Sequence, residues 1–266
     1  MLLLGLTGSI ATGKSTVSSL LSKPPYSLPV IDADLIARRV VEPGTAGYNA
    51  IVKHFLSTTP DLLLPDATPK GRPLNRPALG RRVFGSGPER ERDRKVLNSI
   101  VHPAVRQEMY KQMVWAYLRG SWAVVLDVPL LFESGWERYC GTILVVGVTD
   151  PKIQIQRLRA RDEHLSEEDA VNRVKSQGDV REKAERCLRR GAGRGVVVWN
   201  DKGKEELERD IQRVMEGVRG ASPWWWSTLL WASPPLAALA ATISWWRMRK
   251  VQLAWEDEKK REKSKL

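Results

Sequence analysis

The stretch Gly8-Ser9-Ile10-Ala11-Thr12-Gly13-Lys14-Ser15 decides the fold, because it matches the phosphate-binding pattern G-x-x-x-x-G-K-[ST] at every fixed position. The apolar residues 2–7 before it predict a buried strand, and the periodic residues 16–21 after it predict the start of a helix. Strand, loop and helix in this order form the context that the pattern requires. We therefore predict a P-loop that binds a nucleoside triphosphate, rather than a plain glycine turn.

Each part of this loop has a physical role in binding phosphate. Gly8 and Gly13 allow successive N–H groups to point at phosphate oxygens, and the following helix adds partial positive charge. Lys14 can reach the β- and γ-phosphates, and the Ser15 hydroxyl can hold Mg²⁺. The expected ligands are therefore ATP and Mg²⁺. The predicted nucleotide-binding residues of the loop are Gly8, Ala11, Thr12, Gly13, Lys14, Ser15 and Thr16.

Composition limits the class of protein and of partner. The chain has 266 residues, enough for one large or two small domains, and a formal charge of +12 that favours anionic partners. Residues 247–266 carry eight Lys or Arg and four Asp or Glu, so +4 of this charge belongs to a solvated tail. Among anionic partners we expect nucleotides and lipid but no nucleic acid. Cys140 and Cys187 are far apart, which favours a reducing compartment without a disulfide.

Three features along the chain are typical of a ligand crevice in an open α/β sheet. A short strand at residues 29–31 ends at Asp32 and Asp34, which could serve a hydroxyl acceptor or Mg²⁺; alternatively, one of them could cap the next helix. A second strand, at residues 122–128, ends near Asp127, which could take a second carboxylate role near Mg²⁺. Further strands are predicted at residues 142–148 and 196–199, and a closing helix at 204–218.

Two helical regions lie between the strands. Thr45 is predicted to cap a helix that ends near Phe55, followed by a loop at 57–73 and by helices at 75–84, 89–100 and 102–118. This block is large enough for a substrate-binding subdomain. The second region is basic, and most of its cations are expected to be a solvated face. Arg157 and Arg161 are the best candidates for a cationic cover over the triphosphate, since they share a helix face directly after a strand.

The ordered motifs of residues 1–215 resemble those of the dephospho-coenzyme A kinase family. The matching blocks are Leu4-Gly5-Leu6-Thr7-Gly8 leading into Gly13-Lys14-Ser15-Thr16, Ile31-Asp32-Ala33-Asp34 with Ile36-Ala37-Arg38, Pro43-Gly44-Thr45-Ala46-Gly47, Leu74-Asn75-Arg76 with Leu79-Gly80, Leu97-Asn98-Ser99-Ile100-Val101-His102-Pro103, Asp127-Val128-Pro129-Leu130-Leu131-Phe132-Glu133, Arg157-Leu158 with Arg161-Asp162, and Ser176-Gln177. Departures from the family pattern are Ser9, Ala11 and Thr12, where Gly or Ser is usual, and Trp199-Asn200-Asp201, where an Asp-Asn pair is common.

The resemblance implies an α/β fold with a parallel five-stranded sheet flanked by helices in residues 1–220, an acceptor subdomain at about 43–119 and a lid at about 151–195. It implies transfer of the ATP γ-phosphoryl group to the ribose 3′-hydroxyl of dephospho-CoA, which gives coenzyme A. Asp34 matches the family's general base, Lys14 and Arg157 match the groups that hold the phosphoryl, and Arg161 belongs to the nucleotide site. The acceptor-binding residues that the resemblance implies are Asp34, Arg38, Arg76, Arg81, His102 and Arg106.

Residues 221–266 follow the family core. Residues 224–246 carry no charge and span 23 residues, with Trp clusters at both ends and Arg247 directly after them. As a helix this segment would be about 34 Å long, enough to cross a bilayer. We therefore predict a membrane-spanning helix and a basic tail. The alternatives are a core-packing helix or a surface amphipathic helix, broken at Pro234-Pro235.

The expected location is a membrane, with the kinase domain facing the cytosol. The alternative is the peroxisome, through the terminal Ser264-Lys265-Leu266. Three rival functions stay open: a kinase for another nucleoside or nucleotide acceptor, a membrane-tethered P-loop ATPase switch, and a membrane-surface scaffold with an inactive kinase core.

Overall fold

The computed structural model describes residues 1–66, 68–162, 164–176 and 180–264. These residues form two compact units. The first consists of Met1–Val30 with Trp115–Leu266, and the second of Ile31–Val114. One boundary between the units falls inside the strand Val30–Asp32, and the other falls inside the helix Pro88–Leu118.

Four strands of one five-stranded sheet lie in the first unit, and the boundary between the units falls inside the remaining strand. The strands are β1 (Leu2–Gly8), β2 (Val30–Asp32), β3 (Ala123–Asp127), β4 (Thr142–Gly147) and β5 (Gly195–Trp199). Their order is β2-β3-β1-β4-β5, and the β1–β3, β1–β4 and β4–β5 pairs are parallel. Leu4 lies opposite Val125 on one side and Thr142 on the other. Strands β3 and β4 are buried along their whole length, as expected for apolar runs in a parallel sheet.

Helices follow the strands of the first unit in the predicted order. They are α1 (Lys14–Ser22), α6 (Pro151–Arg161), α7 (Glu167–Ser176), α8 (Val180–Leu188), α9 (Lys204–Gly220), α10 (Trp224–Ala232) and α11 (Pro234–Lys263), with a short 3₁₀ helix at Trp136–Tyr139. The main core lies where α1 and α9 pack on the sheet, with Val17, Leu21, Ile211 and Met215 buried against strand residues such as Leu144. This packing holds the start of α1 at the end of β1.

The second unit is helical and has its own core. Its helices are α2 (Ala33–Arg39), α3 (Ala46–Phe55), α4 (Arg76–Val83) and the greater part of α5 (Pro88–Leu118). Thr45 caps α3 as predicted, because its hydroxyl accepts a hydrogen bond from the Tyr48 N–H. Ile51, Phe55 and Val83 are fully or almost fully buried in the core of this unit.

The predicted helix boundary at His102-Pro103 is wrong, because α5 runs through Pro103 without a break. Residues on both sides of the proline are held by packing: Ile100 and Val101 pack against the core of the second unit, and Met109 is fully buried. Tertiary contacts on both flanks therefore outweigh the loss of one main-chain hydrogen bond at the proline.

The predicted membrane-spanning helix at 224–246 is also wrong. Ser233 lies between α10 and α11 with φ −125° and ψ 85°, outside the helical region. Pro234 and Pro235 lack the N–H groups that would continue the first helix, so a new helix begins at Pro234. Within the described ranges, no helix is both long enough and apolar enough to cross a membrane. Gln177 of the family motif, and Lys265 and Leu266 of the peroxisomal address, lie outside the described residues.

Candidate active site

The two glycines of the predicted loop are required by their surroundings. A Cβ atom on Gly8 would lie 2.4 Å from the main-chain oxygen of Val146, on the neighbouring strand β4. Gly13 has a φ of 98°, and a Cβ atom there would lie 2.4 Å from Nδ2 of Asn200. Ala11 has a φ of 58°, which explains why glycine is usual in this part of the family's loop. The loop between β1 and α1 therefore has the backbone that the motif predicts.

Lys14 and Asp127 meet at the carboxyl end of the sheet. Lys14 begins α1, Asp127 ends β3, and the Lys14 ammonium donates a hydrogen bond to Oδ1 of Asp127. The Lys14 side chain is 18% exposed and the Asp127 side chain 4%, so water screens this ion pair only weakly. The pair holds a cation at the start of the P-loop helix, where the phosphates of a nucleotide would bind.

Asn200 links three segments of the first unit. Its Nδ2 donates a 2.9 Å hydrogen bond to the main-chain oxygen of Thr12, and its own main-chain oxygen accepts a 2.8 Å bond from Nη1 of Arg157. Its N–H bonds to the Gly147 oxygen at 2.8 Å. The sequence interpretation treated Asn200 only as part of a departure from the family pattern. The signal that could have identified it is its place just after a parallel strand, as for Asp127.

Helix α6 supports the P-loop from the side of the predicted lid. Gln154 is buried and its Nε2 donates a 3.0 Å hydrogen bond to the main-chain oxygen of Ile10. Arg157 lies one turn further along the helix, half-buried and bonded to Asn200. Arg161, the last residue of α6, is exposed. The structure therefore connects Arg157 to the P-loop through Asn200, whereas Gln154, which contacts the loop directly, was not predicted.

Helix α8 of the predicted lid is anchored by ion pairs. Lys183 lies 3.3 Å from the Glu133 carboxylate, and Arg186 pairs with Glu137 in the short 3₁₀ helix. Burial raises the pKa of Glu137, and the positive charge of Arg186 opposes that rise. Arg190, also buried, donates a 2.5 Å hydrogen bond to the main-chain oxygen of Cys140. These contacts attach α8 firmly to the segment between β3 and β4.

The donor set of the first unit suits a magnesium ion that arrives with a nucleotide. Mg²⁺ prefers oxygen ligands and usually takes one or two protein side chains together with substrate phosphates and water. Ser15 presents an exposed hydroxyl in the first turn of α1, and Asp127 presents a carboxylate at the end of β3. No group of three or more His, Cys, Asp or Glu residues that could hold a metal by itself occurs in the described ranges. The described residues therefore suit a magnesium ion that is held jointly by protein oxygens and by the nucleotide phosphates, and not one held by protein side chains alone.

The two aspartates at the start of α2 have different roles in the second unit. Asp32 is the N-cap of the helix, because its Oδ1 accepts a 2.9 Å hydrogen bond from the Leu35 N–H. Asp34 lies in the first turn with its side chain exposed. No hydrogen bond or ion pair of the Asp34 carboxylate is found in the described part of the chain. The alternative that the sequence left open is thereby resolved: Asp32 caps the helix, and Asp34 remains available for chemistry.

The predicted acceptor-binding basic residues are exposed on three parts of the second unit. Arg76 donates a 3.2 Å hydrogen bond to the main-chain oxygen of Arg38, so these two residues lie together. His102 and Arg106 are one turn apart on α5, and both are exposed. Arg81 instead pairs with Asp61 at 2.6 Å. The structure therefore brings Arg38 and Arg76 together and shows Arg81 bound to a surface carboxylate.

Comparison with known proteins covers most of the chain. A sequence model of the family described as dephospho-CoA kinase matches residues 2–203. Dephospho-CoA kinase CAB5 of Saccharomyces cerevisiae is 41% identical over 242 residues, which are 91% of this chain and 92% of that protein. Dephospho-CoA kinase of Bacillus cereus is 46% identical over 69% of this chain and 84% of its own length.

Solved structures have the same fold. The crystal structure of TT1252 from Thermus thermophilus has a TM-score of 0.62 at 29% identity, covering 81% of this chain and 96% of that one. Dephospho-CoA kinase from Campylobacter jejuni has a TM-score of 0.56 at 24% identity, covering 83% of this chain and 98% of its own, and supports the fold alone. Residues 2–203, which the family model matches, include every candidate site residue named above.

Proposed function

The chain belongs to the dephospho-CoA kinase family, and on this premise we propose that it transfers the γ-phosphoryl group of ATP to the ribose 3′-hydroxyl of dephospho-CoA. The observation that carries the proposal is the Lys14–Asp127 ion pair at the start of the P-loop helix, within the residues matched by the family. The loop binds polyphosphate, and the buried carboxylate keeps the lysine side chain in place before the nucleotide arrives.

The first unit supplies the groups that bind ATP. The P-loop and the positive end of α1 hold the phosphates, and Lys14 contacts the β- and γ-phosphate oxygens. Arg157 and Arg161 add positive charge near the γ-phosphoryl group that is transferred. Asn200 bonds to both Arg157 and the P-loop and so fixes their relative position. When bound with ATP, Mg²⁺ neutralises charge on the phosphate oxygens, and Ser15 and Asp127 are the residues that would hold it.

The second unit supplies the groups that act on the acceptor. Asp34 accepts the proton of the 3′-hydroxyl while the hydroxyl oxygen forms a bond to the γ-phosphorus and the bond from that phosphorus to the bridging oxygen breaks, releasing ADP. An exposed carboxylate without a partner in the described residues suits this role, whereas Asp32 is occupied as a helix cap. The acceptor carries a pyrophosphate, so exposed basic side chains of the same unit suit its binding; they are Arg38, Arg76, Arg81, His102 and Arg106.

An acceptor panel tests this function directly. The full chain is incubated with ATP and Mg²⁺ together with dephospho-CoA, adenosine, AMP or no acceptor, and ADP and phosphorylated product are measured by liquid chromatography. We expect coenzyme A to form in equal amount to ADP, with little ADP released in the absence of acceptor. Equal ADP release with and without dephospho-CoA would instead support an ATPase, and faster phosphorylation of adenosine or AMP would support a kinase for another acceptor.

A further inference from the structure

The C-terminal helices α10 and α11 expose large apolar side chains outside the residues that the family model matches. That match ends at residue 203, whereas α10 begins at Trp224. None of the residues of α10 is buried. The exposed large apolar residues of the two helices are Trp224, Trp225, Leu229, Trp231, Leu239, Ile243, Trp246 and Leu253. So much exposed apolar area on one segment is unusual for a free protein surface and indicates a binding surface.

Helix α11 is attached to the rest of the first unit by one face. Met248 is 3% exposed and Trp255 4%. The Arg189 guanidinium of α8 lies 4.6 Å from the centre of the Trp255 ring and forms a two-bond ion pair with Glu258. Because these contacts are made by one side of the helix, they determine which residues point away from the domain.

The opposite face of α11 carries the apolar residues. Leu239, Ile243, Trp246 and Leu253 follow one another at spacings of four, three and seven residues, which places them on one side of a helix. We call these four residues the outer face. They extend over about 21 Å of the helix. Trp246 is 55% exposed and Leu239 56%, so nothing in the described residues covers this face.

A basic cluster lies along the outer face. It consists of Arg247, Arg249 and Lys250, all exposed, and no ion pair to an acidic side chain is found for any of them within the described residues. The Lys250 ammonium lies 3.6 Å from the centre of the Trp246 ring, and the Arg249 guanidinium 5.1 Å from that of Trp245. Cations stacked on tryptophan rings beside aliphatic side chains match the interface of a bilayer, where apolar chains meet anionic headgroups.

We propose that the outer face and the basic cluster bind the surface of an anionic lipid bilayer, with α11 lying in the interface and not crossing it. The apolar side chains enter the boundary between headgroups and acyl chains, while the basic cluster meets anionic headgroups. Since the opposite face of α11 is attached to α8 through Arg189 and Glu258, the kinase domain would sit on the membrane in one orientation. A second copy of the chain is the competing occupant, and its formal net charge of +12 makes it a less favourable partner for the basic cluster than an anionic lipid surface.

Vesicle flotation with the full chain tests the proposal. Vesicles of phosphatidylcholine alone are compared with vesicles that contain about 30% phosphatidylserine, at low and high salt. We expect binding to the anionic vesicles that weakens as salt is added. Two variants remove the proposed contacts: Ile243→Ser with Trp246→Ala on the outer face, and Arg249→Glu with Lys250→Glu in the basic cluster. Each should lower the bound fraction by about tenfold or more, with the kinase activity in solution unchanged.

Control variants at other exposed positions test whether vesicle binding depends on this surface or only on the overall hydrophobicity or charge of the protein. Val114→Ser with Phe84→Ala changes exposed apolar residues elsewhere, and Arg209→Glu with Arg213→Glu reverses two exposed cations on α9. Both should bind vesicles like the unchanged protein. The proposal fails if the unchanged protein does not float with anionic vesicles or if the outer-face variant floats equally well. If the unchanged protein does not bind vesicles but forms a dimer in light scattering, and the outer-face variant is a monomer, the surface would be assigned to a second copy.

Discussion

The Lys14 ammonium donates a hydrogen bond to the Asp127 carboxylate, which joins the first residue of α1 to the last residue of β3. The two residues are 113 positions apart in the chain and meet because β1 and β3 are adjacent and parallel. A lysine side chain has many rotamers, and a buried carboxylate restricts them before a nucleotide binds. The pair therefore prepares the cation for the phosphate at the cost of burying a charge.

Replacing Asp127 tests this preparation. We expect Asp127→Asn to lower kcat/KM for coenzyme A formation by about a hundredfold, because the amide keeps the shape but loses the charge that positions Lys14 and would help hold Mg²⁺. Steady-state kinetics measures the effect, and circular dichroism checks the fold. Glu206→Gln, in the exposed Lys202–Glu206 pair, is the matched control and should leave kcat/KM unchanged. An Asp127→Asn protein with ordinary kcat/KM would contradict the role assigned to the pair.

Variants of the two aspartates at the start of α2 distinguish catalysis by Asp34 from helix capping by Asp32. Asp34→Asn should lower kcat by about 10²- to 10⁴-fold with little change in the KM for ATP, because an amide cannot accept the hydroxyl proton. Asp32→Asn should retain activity and stability, since asparagine caps a helix as well as aspartate does. Full turnover by the Asp34→Asn protein would refute the assignment of the base.

Position 13 requires glycine because of its positive φ and because Asn200 lies close to it, and Gly191 serves as a control for the first reason alone. Gly13 and Gly191 both have positive φ, 98° and 89°, but a Cβ atom at Gly191 would meet nothing within 4 Å. Gly191→Ala should therefore cost only about 1 kcal/mol of stability from backbone strain. Gly13→Ala should also displace Asn200 and weaken ATP binding by about a hundredfold. Calorimetry measures both, and ordinary ATP affinity in Gly13→Ala would show that the loop adapts.

The thiols should be inert in the folded protein. Burial raises the pKa of both Cys140 and Cys187 to about 12. At pH 8 we therefore expect little reaction of the native chain with Ellman's reagent, and two equivalents of reaction after unfolding in urea. Because the folded state holds these protons more tightly than the unfolded state, the free energy of unfolding should fall as the pH rises from about 9 toward 12. Rapid labelling of two thiols at pH 8 without denaturant would contradict the burial.

Local chemistry explains most of what was predicted correctly. The P-loop, the four long strands and the cap at Thr45 depend on neighbouring residues, so motif and periodicity were enough to locate them. The site was less predictable. Gln154 and Asn200 support the loop through bonds across 144 and 188 positions. Asn200 has a local signal in its place just after a strand, whereas no local pattern distinguishes Gln154 from other polar residues.

The membrane prediction was wrong because a local pattern indicated a feature that the structure does not have. Length and apolar composition favoured one helix over 224–246, but the two prolines divide it at Ser233, and packing of Met248 and Trp255 makes the second part a helix of the first unit. In α5 the outcome is the reverse, because packing on both sides of Pro103 overrides a local break signal and the helix continues.

By itself, the sequence determined the phosphate-binding loop, the parallel sheet and the family, because these depend on residue order and short-range periodicity. Only the tertiary structure decided which polar groups meet. Lys14 bonds to Asp127, and Asn200 bonds to Thr12 and Arg157. Asp32, and not Asp34, caps the helix α2. The physical reason is that a hydrogen bond is worth little until folding brings its two partners within about 3 Å, and that distance is set by the packing of whole strands and helices.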